Sequence, residues 1–139
     1  MKIAILFIFL IIAGMSVNSQ NSWKVRLNNK TLLSAKEESE TANLKKISAA
    51  EWKKNGNLEL TYTEKAEPGM WKRSFLFYDE KDNQLLSKEN TMHAKISISA
   101  LRKLFEGKKE LRIYTIVAPV NPSMAVRVRR VHLCTLQLP

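Results

Sequence analysis

From Leu58 to Thr63 apolar and polar residues alternate one for one, with Leu58, Leu60 and Tyr62 set against Glu59, Thr61 and Thr63. Successive side chains of a strand point to opposite faces, so this rhythm predicts a strand with one buried face. Leu111, Ile113 and Thr115 repeat it later in the chain. The segments WKVRLN and KRSFLFYDE each run into a polar turn, NKT and KDNQ, and each predicts a strand entering a hairpin. Second strands carry Leu32-Leu33-Ser34 and Leu85-Leu86-Ser87, and third strands fall around NLKKIS and MHAKISIS. Leu101, Leu104 and Phe105 stand at i, i+3 and i+4, one face of a short helix. Ser99 is placed to cap that helix and Gly107 to end it. Ser48-Ala-Ala-Glu51 has the spacing of a capping box at the start of a shorter helical turn. Loops with proline follow, EKAEPGM and APVNPSM, and a last strand runs from about Ala125 to Leu136.

These elements come in two similar series. Leu32-Leu33-Ser34 recurs as Leu85-Leu86-Ser87, Ile47-Ser48-Ala49 as Ile98-Ser99-Ala100, Gly56 as Gly107, and Tyr62-Thr63 as Tyr114-Thr115. Pro68, Met70 and Arg73 recur as Pro122, Met124 and Arg127. The order is kept and the offset drifts only from roughly 51 to 54 residues, as small insertions would make it. An internal duplication is the expectation, with halves at about 23–75 and 76–137. Many short strands and only a turn or two of helix predict an all-β fold, a β-sandwich of Ig-like or jelly-roll type with eight or nine strands. The first strand of one half is expected to complete the sheet of the other. Long helices alternating with strands are missing, which argues against a doubly wound sheet.

The chain opens differently. Lys2 precedes an apolar run from Ile3 to Ala13, and small and polar residues follow. That order predicts a secretory signal peptide over residues 1–19, cleaved after Ser19, where Val17 and Ser19 meet the small-residue rule. The apolar run is shorter than the roughly 20 residues a spanning helix needs, so no transmembrane span is expected after the leader is removed. A single domain over residues 20–139 remains. With one cysteine, Cys134, it has no internal disulfide and rests on its core. A leader ending before Gln20 and a compact Lys-rich β domain resemble the small exported proteins of Gram-negative bacteria. The resemblance implies a secreted or periplasmic location and carries no site residues.

Charge narrows the partners. The formal net charge is +10, of which Lys2 in the leader supplies one. A cationic surface attracts anions, and outside the cytoplasm these are glycans, lipid headgroups and acidic proteins. Nucleic acid fits the charge but not the export signal.

The candidate binding residues are Trp71, Arg73, Arg127 and Arg129. Trp71 beside Lys72 and Arg73 at a loop edge can stack on a ring or dock a partner. Arg127 and Arg129 share a face of the last strand and suit a carboxylate, sulfate or phosphate. The doubled Arg129-Arg130 suggests a bulge at Arg130 that switches the strand's phase. The competing reading pairs these arginines with the protein's own acids.

A second functional reading is a soft-metal site for copper or zinc, using His132, Cys134 and Met124, since thiolate, imidazole and thioether suit such ions. His132 and Cys134 are two apart and would share a strand face. Yet Cys134 is followed only by TLQLP, and no second cysteine exists to complete a zinc set. Neighbouring Met92 and His93 face opposite ways in a strand. No catalytic elbow or phosphate loop is present, and Asp79, Glu80 and Asp82 have the setting of a hairpin turn. The chain is therefore expected to be a non-catalytic binding or envelope-interaction module without a cofactor.

Overall fold

The structure is a computed structural model that describes residues 21–64, 71–124 and 127–139. The expected leader and all of the EKAEPGM loop after Glu64, with Pro68 and Met70 of the repeat, lie outside the described residues. So do Ala125 and Val126, where the last strand was expected to begin.

Among the described residues there are nine strands and two short helices. In chain order they are β1 (Ser22–Leu27), β2 (Lys30–Ala35), β3 (Leu44–Lys46), α1 (Ala49–Lys53), β4 (Asn57–Thr63), β5 (Trp71–Tyr78), β6 (Gln84–Lys88), β7 (His93–Ser97), α2 (Ile98–Leu104), β8 (Glu110–Pro119) and β9 (Val131–Gln137). One sheet has the order β2-β1-β4-β7 and the other β3-β9-β8-β5-β6. The inner faces bury Trp23, Val25, Leu27, Leu58, Leu60 and Tyr62 from the first sheet against Phe75, Phe77, Leu111, Ile113 and Leu136 from the second. This is the all-β sandwich that the alternating pattern predicts.

The two sheets follow one plan. A hairpin, β1–β2 or β5–β6, lies beside the long strand of its own series, β4 or β8. The third strand of each series then joins the opposite sheet: β7 flanks β4, and β3 closes the sheet that holds β8. Thus the third strand changes sheets, rather than the first. The plans differ by β9, which lies antiparallel to β8 and parallel to β3. Both Leu-Leu-Ser segments carry a bulge at their first leucine. Val25 pairs with Leu33 and Arg26 with Thr31, so Leu32 is the extra residue; Leu85 is the extra residue in β6. Tyr62-Thr63 and Tyr114-Thr115 match in sequence but not in phase. Tyr62 faces the core, whereas in the second series Thr115 faces it.

Local chemistry sets the ends of the elements. Asn28 and Asn29 turn the β1–β2 hairpin with φ of 51° and 67°, values asparagine tolerates better than most residues. Ser48 caps α1, its hydroxyl accepting from Glu51 N–H at 3.2 Å. The Glu51 carboxylate does not complete a capping box; it accepts from Asn28 and Lys54 instead. Ser97, not Ser99, caps α2. Starting the helix there buries Ile98 and Leu101 completely, which a start after Ser99 would not do for Ile98 as a helical residue. Leu104, at the helix end, is exposed. Gly107 adopts φ 75°, the left-handed conformation that suits glycine after a helix. The β5–β6 turn is built on Asp79, which is fully buried. Its carboxylate accepts from Lys81 N–H and Asn83 N–H, both at 2.9 Å, from the Asn83 amide at 3.0 Å and from Lys108 at 2.9 Å.

Candidate binding surface

The sandwich has two ends. At one end lie the hairpin turns and both helices. At the other, β4 finishes, β5 begins and β8 gives way to the loop leading to β9. There Trp71 pairs with Pro119 and Lys72 with Ala118. Trp71 is 45% exposed, and Val120 and Met124 on the adjoining loop are 46% and 43% exposed. Lys72 beside Trp71 is exposed as well, and so are Arg127, Val128, Arg129 and Arg130 in the run before β9.

The four predicted binding residues do not share one environment. Arg73 sits on the inner face of β5, in line with Phe75 and Phe77, and is buried. Its guanidinium lies over the Tyr62 ring, 3.7 Å from the centroid, and Tyr62 stacks on Trp23. It donates to Glu64 through Nε and Nη2, and to the Thr115 hydroxyl at 2.9 Å. Since Glu64 follows β4 and Thr115 lies in β8, Arg73 joins the two sheets. It is an internal tie, and an arginine at an apolar slot of the alternation is the only sequence trace of that role. The repeat aligns Arg73 with Arg127, yet Arg127 is exposed, lies outside any strand and makes no ion pair among the described residues. Arg129 is exposed and bound to Glu38 at 2.6 Å. Trp71 is at the edge, as expected.

Arg127 and Arg129 precede β9, which begins only at Val131. The bulge in this strand is at Leu133, not at Arg130: Ile113 pairs with Cys134 and Tyr114 with His132, leaving Leu133 extra. One inserted residue reverses the alternation, so His132 and Cys134 face opposite ways. Cys134 and Leu133 enter the core. His132 instead lies edge-on to Tyr114 on the outer face and bonds Thr135 Oγ1 through Nε2 at 2.7 Å. The Leu133 carbonyl accepts from Trp23 Nε1–H at 3.0 Å, a tie between the sheets at the bulge.

This arrangement bears on the metal set. Burial pushes the Cys134 thiol up to about 12, the setting of an inert core thiol. Met124 is on the exposed loop, away from the core side of β9. Among the described residues, no three His, Cys, Asp or Glu side chains gather as a metal would require.

The outer face of β8 and β9 carries a cavity of about 180 Å³, lined by Glu40, Leu44, Glu110, Arg112, Tyr114, His132 and Thr135. His132 is buried there, which holds its imidazole below the ordinary range; its Nδ1 has no hydrogen-bond partner among the described residues. Sequence reading missed this group because its members come from three separate strands and one loop. Arg130 spans the same face, over the rings of Tyr78 and Tyr114, and pairs with Asp82 at 2.8 Å. The other predicted turn acid, Glu80, accepts from Lys109 N–H at 3.2 Å.

Neither a protein-family model nor a curated protein sequence matches the chain.

Proposed function

We propose that the chain is an exported, non-catalytic binding module of the bacterial envelope, and that it meets an anionic partner with Trp71, Lys72 and Arg127. The observation that carries this reading is the different fate of the arginines. Arg73, Arg112, Arg129 and Arg130 each have a carboxylate partner, and Arg26 and Arg102 donate to backbone carbonyls, whereas Arg127 stands exposed with neither kind of partner among the described residues. An exposed pair such as Arg129–Glu38 contributes only about 0–1 kcal/mol, so an incoming anion can take Arg129 over at small cost. The net charge of +10 supplies long-range attraction.

The soft-metal reading is the weaker one: the bulge turns His132 and Cys134 to opposite faces of β9, and the thiol is buried. Retention of the mature protein on a sulfated-glycan resin and on anionic vesicles tests the binding reading. Retention should fade between about 0.1 M and 1 M salt, as the screening length drops from about 10 Å to about 3 Å, and Arg127→Ala should weaken it. Retention indifferent to both salt and that substitution would end the reading.

A further inference from the structure

The same end of the sandwich combines charge with apolar surface. Six large apolar residues are exposed among the described residues: Leu44, Trp71, Leu104, Val120, Met124 and Val128. Three of them, Trp71, Val120 and Met124, belong to the start of β5 and to the loop directly after β8, segments joined by the Trp71–Pro119 and Lys72–Ala118 pairs. We propose that the anionic partner is a lipid surface. In this arrangement Trp71, Val120 and Met124 enter the interfacial layer while Lys72 and Arg127 meet the headgroups. The proposal rests on the binding reading above and names its partner.

Three observations favour lipid over the other anionic partners. A glycan can use Trp71 by stacking, but Val120, Met124 and Val128 give it nothing to bond. A folded acidic protein needs a complementary shape, whereas a bilayer interface accepts irregular apolar side chains as they come. Indole is suited to the boundary, with an apolar body and a polar N–H, and lysine and arginine extend their charged ends to the headgroups. The strand geometry agrees. Ser22 pairs with Thr63, the last residue of β4, so the chain enters the fold at this same end. The opposite end, with α1, α2 and the hairpin turns, has Leu104 as its one exposed large apolar residue among the described residues.

Co-sedimentation with vesicles tests this, using phosphatidylcholine alone and phosphatidylcholine with about one-third phosphatidylglycerol. Binding should require the anionic lipid and should shift tryptophan emission to the blue; the shift should vanish in Trp71→Phe, which keeps Trp23 and Trp52. Trp71→Ala and the double substitution Val120→Ser with Met124→Ser should each weaken vesicle binding about tenfold, and Arg127→Ala about fivefold. Both sets of residues are exposed, so the variants keep the fold, and sulfated-glycan retention reports on the charge alone. If vesicle binding is salt-sensitive but untouched by the apolar substitutions, or if the protein binds sulfated glycan and not vesicles, the lipid assignment is overturned and the basic-surface reading stands. If neither surface retains the protein at low salt, both fall.

Discussion

Replacing Arg73 with methionine keeps much of the stem's packing and removes the guanidinium. Three donated hydrogen bonds disappear, two to Glu64 and one to Thr115, together with the contact over Tyr62. Hydrogen bonds to charged groups contribute about 1.5–3 kcal/mol each, and a desolvated cation–π contact about 2 kcal/mol. Against these stands the cost of taking Arg73 from water, several kcal/mol for a buried ion. Removing one partner of a buried pair costs about 3–5 kcal/mol. The Arg73 side chain is 8% exposed but Glu64 is 24% exposed, so Glu64 recovers some hydration and the lower figure, about 3 kcal/mol, is expected. At about 4 °C per kcal/mol for a domain of this size, Tm should fall by roughly 12 °C. Urea unfolding of wild type, Arg73→Met, Glu64→Gln and the double variant closes a mutant cycle whose coupling should lie between about 1 and 3 kcal/mol. A single-variant loss under about 1 kcal/mol with no coupling would refute the internal tie and return Arg73 to the candidates for ligand binding.

Other expectations follow from the same geometry. Trp23→Phe removes the donor to the Leu133 carbonyl at the bulge and should cost at least about 1–3 kcal/mol in urea unfolding; a loss below about 0.5 kcal/mol would show that this bond does not tie the sheets. Cys134, buried and raised to about 12, should resist a thiol reagent at pH 8 until the protein unfolds, and rapid labelling of the native protein would contradict its place in the core. The Asn83 amide and backbone N–H, with Lys108 and Lys81, hold the Asp79 carboxyl well below the usual carboxylate range. Its stabilisation is complete above the unfolded value of about 4 and is lost as pH falls through the folded one. Thermal melts of Asp79→Asn should therefore show a smaller further loss below about pH 4 than wild type, and an acid limb as steep as wild type's would count against that turn. His132 has the same sign: burial depresses it, so the unfolded chain takes up the proton first and stability declines as pH falls below about 6.5.

What could be read from the sequence was what a half-buried strand writes into it. Leu58, Leu60 and Tyr62, and likewise Leu111, Ile113 and Thr115, face the core as their alternation says. β9 could not be read that way. His132 to Thr135 and Leu136 are all buried, with core on one side and the outer-face cavity on the other, and the extra residue Leu133 breaks the period. Arg73 was misread for a related reason. Its partners lie 9 and 42 positions away, and composition alone reads arginine as surface. Ser97 and Ser99 are equivalent as letters; the burial of Ile98 decides between them. Of the candidate surface, Trp71, Arg127 and Arg129 were visible, but Val120 joins Trp71 only because β5 and β8 pair.

The parallel pairing of β3 with β9 bears on when the second sheet can close. Leu44 leaves a ribosome well before its partner Thr135, which follows it far along the chain. The intervening β8 cannot serve, because β9 occupies the place between them. Closing that sheet thus waits for β9, the costly loop closure that makes distant strand pairing slow. A polypeptide built so cannot lock its second sheet until β9 has been made.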